Sequence, residues 1–175
     1  IMVLHGNKSH STANKGWHLK AARVKEGWDI TKGDPNIVVA IIDDGIDVNH
    51  SMFKGRFFKA YNVFTQNRAL SPGQGHGTHV AGLAVGSTEF YSEGAAGVAP
   101  NCKIMPVQVF DNGMCTFSSL ASGIMYAIHN GANIVNISIG PSFQGLSQLP
   151  IEEQIKVDQQ YFKNEEKVYR HIINV

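Results

Sequence analysis

The chain has little cysteine, little charge and no long apolar run. Its two cysteines, Cys102 and Cys115, among 175 residues are too few to read as a disulfide framework, and sequence leaves their pairing and the redox compartment open. Charged residues make up only 17%, with 15 Lys and Arg against 14 Asp and Glu. That balance gives no reason to expect nucleic acid or an acidic membrane as a partner. The longest apolar run covers residues 37–42, far short of the roughly 18–20 residues a membrane span requires. Residues 1–16 are polar beyond Leu4 and contain no signal-peptide core, so a targeting segment has either been removed or was never there. Also missing are G-x-x-x-x-G-K, H-E-x-x-H, calcium-loop and C-x-x-C spacings, which leaves phosphate and common metal sites without a local signature.

What is present suits one compact, loop-rich domain with a sizeable core. Glycine accounts for 18 residues, more in keeping with an α/β enzyme than with a helical bundle. Residues 20–28 read as a short amphipathic helix, and 31–35 as a turn by their Gly and Pro chemistry. Ile37-Val38-Val39-Ala40-Ile41-Ile42 is a continuous β-branched run ending at Asp43-Asp44-Gly45. Such a run predicts a strand buried on both faces. Residues 56–63 read as another strand, and 103–110 as a third, with Pro106 marking an edge. A helix is predicted over 118–130, with Leu120, Ile124, Ala127 and Ile128 on its apolar face and Gly131 as its stop. Residues 134–139 form a strand with Val135, Ile137 and Ile139 on one parity. This alternation predicts an α/β fold, a mainly parallel sheet flanked by helices. Ligands of such sheets sit beyond the carboxyl ends of the strands, where Asp43 falls.

The most pointed stretch is Gly75-His76-Gly77-Thr78-His79-Val80-Ala81-Gly82. Its glycines let other groups approach the ring of His76, and Thr78 is a plausible cap for the helix that follows. A histidine so placed, with a buried carboxylate such as Asp43 on one ring nitrogen, fits the logic of an acyl-transfer triad. Two other readings stand beside it. Asp43, Asp44, Asp47 and His50, or His76 with His79, could ligate a metal in a metal-dependent hydrolase. Asp44 and Asp47 also read simply as turn and solvent residues.

Val39-Ala40-Ile41-Ile42-Asp43-Asp44-Gly45-Ile46-Asp47 with His50 resembles the aspartate motif of the subtilisin-like serine proteases, the subtilases. The stretch around His76 resembles their histidine motif, and Asp before His is their order, with Ser last. Ala96-Gly97-Val98-Ala99-Pro100 resembles the segment after the histidine helix, and Asn136-Ile137-Ser138-Ile139-Gly140 the strand that lines the substrate. The likeness runs from about Trp17 to Ser142. It implies that Asp43 orients the imidazole, that His76 is general base and acid, and that His79 packs structurally. It further implies a peptide or protein substrate, held by strand addition along Gly113, Met114 and Cys115, with Ser138, Ile139 and Gly140 as the opposite wall. Asp43-Asp44-Gly45 is similar to the kexin-type branch, in which the second Asp favours basic residues, making Asp44 a specificity residue. The location stays open from the residues; the resemblance alone favours a secreted or extracytoplasmic one.

Departures from the family are equally informative. The Gly-Thr-Ser nucleophile motif and the Ala-Gly-Asn segment of the oxyanion asparagine are both absent from these 175 residues. Gly140-Pro141-Ser142-Phe143-Gln144-Gly145 is one residue too long for G-x-S-x-G. Residues 151–175 form a divergent, charged, helical segment, with apolar Ile151, Ile155, Phe162, Val168 and Ile172. No cofactor is required for the implied chemistry; a structural calcium is possible, but the ligand that many subtilases carry after the aspartate motif falls at Met52, which does not support that site. The expectation is an apparently incomplete catalytic domain over 17–175 behind a polar segment, 1–16. Its serine and oxyanion asparagine would come from a missing portion or a complementing chain. Alone it would be inactive and poorly stable. A pseudoprotease that binds peptides without cutting them is the non-catalytic alternative.

Overall fold

A computed structural model describes residues 16–89, 95–140 and 148–173. The chain divides between Ser138 and Ile139 into two compact units. Apart from Gly16, the polar segment 1–16 lies outside the described residues, as does 141–147 with Ser142 and Gly145.

The larger unit is built on a four-stranded parallel sheet in the order β2-β3-β1-β4. Its strands are β1 (Val38–Asp43), β2 (Tyr61–Asn62), β3 (Lys103–Gln108) and β4 (Ile134–Ile137). Every residue of β1 is buried, as its unbroken apolar run requires for a strand with neighbours on both edges and helices on both faces. Helix α3 (His76–Val85) packs on one face, where Ala81 and Val85 meet Val39, Ile41 and Ile104. Helix α4 (Phe117–His129) packs on the other. There Gly123 lies so close to the sheet that a Cβ would fall 2.5 Å from Val109 and 3.2 Å from Val107. The alternating parity of β1 and β3 thus feeds two separate cores. Fully burying each of these Val and Ile side chains contributes about 1.5–3 kcal/mol.

Several expectations need correction in detail. The single helix over 20–28 is two short ones, α1 (Trp17–Ala21) and α2 (Val24–Trp28), because Arg23 between them adopts φ 53°. The strand over 56–63 shrinks to a bridge at Phe57 and the two residues of β2, interrupted by Lys59 at φ 44°. That interruption explains Pro106, which sits inside an interior strand rather than at an edge. Ile104 exchanges hydrogen bonds with Arg56 and Phe58, and Pro106 shares its parity. The missing N–H therefore faces the gap in the neighbouring strand, where no ladder bond is lost. Ile128 is 47% exposed and not core, since it flanks the buried stripe of Leu120, Ile124 and Ala127. In β4, Ile134 and Ile137 are exposed and Val135 is half-buried. Among the described residues β4 pairs only with β1.

In the smaller unit, α5 (Ile151–Ile173) is a single 23-residue helix. Ile151 and Ile155 on it are exposed, whereas Phe162, Val168 and Ile172 lie outside the described side chains. No helix is long and apolar enough to cross a membrane among the described residues.

Candidate active site

The carboxyl end of β1 delivers Asp43, and the first turn of α3 delivers His76. Asp43 Oδ1 lies 2.8 Å from His76 Nδ1. The same oxygen accepts the Asp44 backbone N–H at 2.8 Å, while Oδ2 is buried with no hydrogen-bond partner in the described protein. Asp43 is 1% exposed, and burial pushes its carboxyl above the ordinary value of 3.8, against the pull of His76 and the Asp44 amide. The His76 side chain is 39% exposed. With Nδ1 turned to the carboxylate, the proton belongs on Nδ1 and the lone pair on Nε2.

Glycine makes this approach feasible, in two different ways. Gly77 is the site of contact: a Cβ there would lie 2.3 Å from the Gly45 carbonyl and 2.9 Å from the Asp43 Cβ. Gly75 has open space around it and instead supplies the left-handed turn, φ 91°, that starts α3.

The predicted cap is not at Thr78. Its hydroxyl accepts the Asp47 N–H at 2.9 Å, tying the loop after β1 to α3. Asp44 acts there instead: its Oδ1 accepts the first-turn Gly77 N–H at 2.8 Å, and its Oδ2 accepts the Gln74 N–H of the preceding loop at 2.7 Å. His79 is exposed rather than packed, because it points away from the face that carries Ala81. Asp47 accepts the Asn49 N–H and His50 Nδ1 accepts the Met52 N–H. With those atoms engaged in turns, no group of three or more His, Cys, Asp or Glu side chains could hold a metal among the described residues. Met52 is buried in the core, and its carbonyl accepts from the Arg56 guanidinium at 2.5 Å.

Gly113, Met114 and Cys115 lie on a tight turn whose Asp111 and Met114 exchange backbone hydrogen bonds. Asn112 and Gly113 both have positive φ there. Met114 is exposed, and a Cβ on Gly113 would reach Gln74 Nε2 at 3.4 Å, so this turn borders the loop that leads to His76. Burial pushes the Cys115 thiol up, despite its contact with Ser119, which keeps it protonated. Ser138 follows β4 and accepts from Asn136 Nδ2 at 3.0 Å. Ile139 and Gly140 belong to the smaller unit.

Sequence reasoning passed over Gln108. It is buried at the carboxyl end of β3, in register with Asp43. Its Oε1 accepts from Ser71 N and Asn62 Nδ2, and its Nε2 donates to Ser71 Oγ and the Phe110 carbonyl. This amide anchors the loop that carries His76. The available signal was a polar residue ending a strand whose neighbour ends in the candidate aspartate.

The sequence pattern of the subtilase family matches residues 34–173, past Ser142, where recognisable motifs stop. The thermophilic serine proteinase of Bacillus sp. (strain AK1) is 40% identical over 114 residues, covering 65% of this chain and 28% of that protein. Thermitase of Thermoactinomyces vulgaris is 37% identical over 116 residues, covering 66% and 41%. This chain therefore spans well under half the length of either relative. The solved structure of fervidolysin from Fervidobacterium pennivorans, a keratinolytic enzyme related to subtilisin, matches with a TM-score of 0.56 at 29% identity, over 81% of this chain and 24% of that one. With the parallel sheet, the helix on either face and a match across four-fifths of its length, the chain belongs to the subtilase family of subtilisin-like serine proteases.

Proposed function

We propose that these residues form part of a subtilisin-type serine endopeptidase, with Asp43 and His76 as two members of its triad. The observation that carries this reading is the 2.8 Å contact between Asp43 Oδ1 and His76 Nδ1 at the carboxyl edge of a parallel sheet. His76 Nε2 takes the proton of a serine hydroxyl as its oxygen attacks the scissile carbonyl. Asp43 holds the imidazole in the required tautomer and stabilises the imidazolium that forms. His76 then returns the proton to the leaving amine, and water cleaves the acyl-enzyme by the same route. Neither the serine motif nor the oxyanion asparagine motif occurs in the 175 residues, so both are supplied by other sequence, in the same polypeptide or a complementing chain. By the family resemblance, Gly113, Met114, Cys115 and Ser138 of the larger unit flank the substrate.

The test is kinetic, on the catalytically competent protein. His76→Ala and Asp43→Ala are expected to lower kcat by roughly 10⁴-fold with smaller changes in KM, the scale known for triads of this type. Activity should disappear with a serine-directed phosphonylating reagent and survive a strong chelator. Activity within about tenfold of the parent for His76→Ala would overturn the triad assignment. Chelator-abolished activity restored by zinc would favour the metal-dependent hydrolase instead.

A further inference from the structure

Helix α3 starts without a cap of its own. Gly75, at the cap position, provides no side chain, and none of the first-turn side chains is acidic. The helix nevertheless begins with His76, whose ring must be held to a fraction of an ångström if it is to transfer protons. The missing cap comes from across the site. Asp44, one residue beyond Asp43, places Oδ1 2.8 Å from Gly77 N and Oδ2 2.7 Å from Gln74 N. Those two amides lie on either side of Gly75 and His76. A carboxylate there also complements the positive end of the helix dipole.

The surroundings are shaped to this carboxylate. A Cβ on Gly73 would fall 2.6 Å from Asp44 Cγ and 2.7 Å from Oδ2, and one on Gly77 would fall 3.1 Å from Oδ1. Two glycines thus clear the space that Asp44 occupies. Because Asp44 follows Asp43 directly, its backbone N–H also bonds Asp43 Oδ1 at 2.8 Å. One residue therefore grips both partners of the Asp43–His76 contact, the aspartate through its amide and the histidine helix through its carboxylate.

We infer that Asp44 is a positioning residue, whose carboxylate bridges Gln74 and Gly77 and so seats His76 against Asp43. This rests on the reading of His76 as the general base. It differs from a specificity role, because each carboxylate oxygen already accepts a backbone donor.

The test compares Asp44→Ala with Asp44→Asn in the competent protein. Asn keeps an acceptor for Gly77 but turns an amide N–H toward the Gln74 N–H. Expected are losses in kcat of about 100-fold for Ala and about tenfold for Asn, with KM near the parent value. Both losses should be equal for peptides with lysine or leucine before the scissile bond. In protein labelled with 15N-histidine, the low-field Nδ1 proton of His76 should broaden or vanish in Asp44→Ala and persist in Asp44→Asn. Circular dichroism on the same samples confirms that the signal comes from folded protein. Should Asp44→Ala misfold, Asp44→Asn decides by its kcat: a loss of about tenfold, equal for the lysine and leucine peptides, supports the inference, and an unchanged kcat overturns it. A loss confined to the lysine peptide, or a proton signal unchanged in folded Asp44→Ala, would overturn the inference. If His76→Ala stays active while Asp44→Ala still perturbs the proton, the triad reading fails and the positioning geometry stands.

Discussion

Asp43 terminates an otherwise wholly apolar strand, and removing its carboxyl from water disfavours the charged form. Burial outweighs the His76 and Asp44 hydrogen bonds, so the folded group holds its proton to higher pH than the unfolded one. Between those two values the native state binds more protons, and stability falls as pH rises through the window, from about 3.8 upward. Asp43→Asn keeps the shape and removes the titration. Urea denaturation near pH 4 and near pH 7 should show a smaller decline for this variant than for the parent; equal declines would contradict the assignment. At this scale the sequence was legible where chemistry is local. Asp43 and His76 stand out because a carboxylate ends an apolar run and a histidine sits between glycines. The roles of Asp44, Thr78 and Gln108 were not legible, since each acts on residues about thirty or more positions away.

Helix α3 is held at both ends by groups outside it. Its last carbonyls, left open by helix geometry, are met one by one: Leu83 by Val98 N, Ala84 by Ala99 N and Gly86 by Gly97 N. The Val85 carbonyl is taken by the Arg56 guanidinium, which also donates to Pro100 at 2.6 Å and Met52 at 2.5 Å. One cation thus joins the His76 helix to two other segments. Arg56→Met should leave these carbonyls without their donor and destabilise the fold by about 2–4 kcal/mol. Chemical denaturation measures this, and an unmoved midpoint would refute it. Element boundaries were legible where one periodicity runs unbroken, as in β1 and α4. They were misread where a single residue takes positive φ, as Arg23 and Lys59 do, because neither residue type announces that conformation.

In the larger unit the sheet has an interior of β3 and β1 and an outer strand, β4, paired on one side among the described residues. Exposed Ile134 and Ile137 on that strand make an adhesive edge. Ile151, Ile155 and Val157 add exposed apolar surface on α5. The 175-residue polypeptide by itself should therefore bind hydrophobic dyes and associate with rising concentration. It should cleave no peptide, because it contains no serine motif for His76 to deprotonate. Sedimentation and a peptide assay check both, and a monodisperse, dye-silent monomer with a sharp melt would favour a self-contained peptide-binding module.

Sequence by itself determined the fold class, the strand that carries Asp43, the helix that begins at His76 and the membership these motifs imply. Periodicity and glycine placement are properties of neighbouring residues, so they survive without coordinates. Tertiary structure alone decided how the two groups are held together. Asp44 caps a helix that begins 32 residues later, Gln108 anchors the loop between them, and Arg56 fastens the helix's far end. Those bonds join segments distant in the chain, and their partners are chosen by packing rather than by any local pattern. Pro106 shows the same division: the residue type argued for an edge, but the gap at Lys59 admits it to an interior strand.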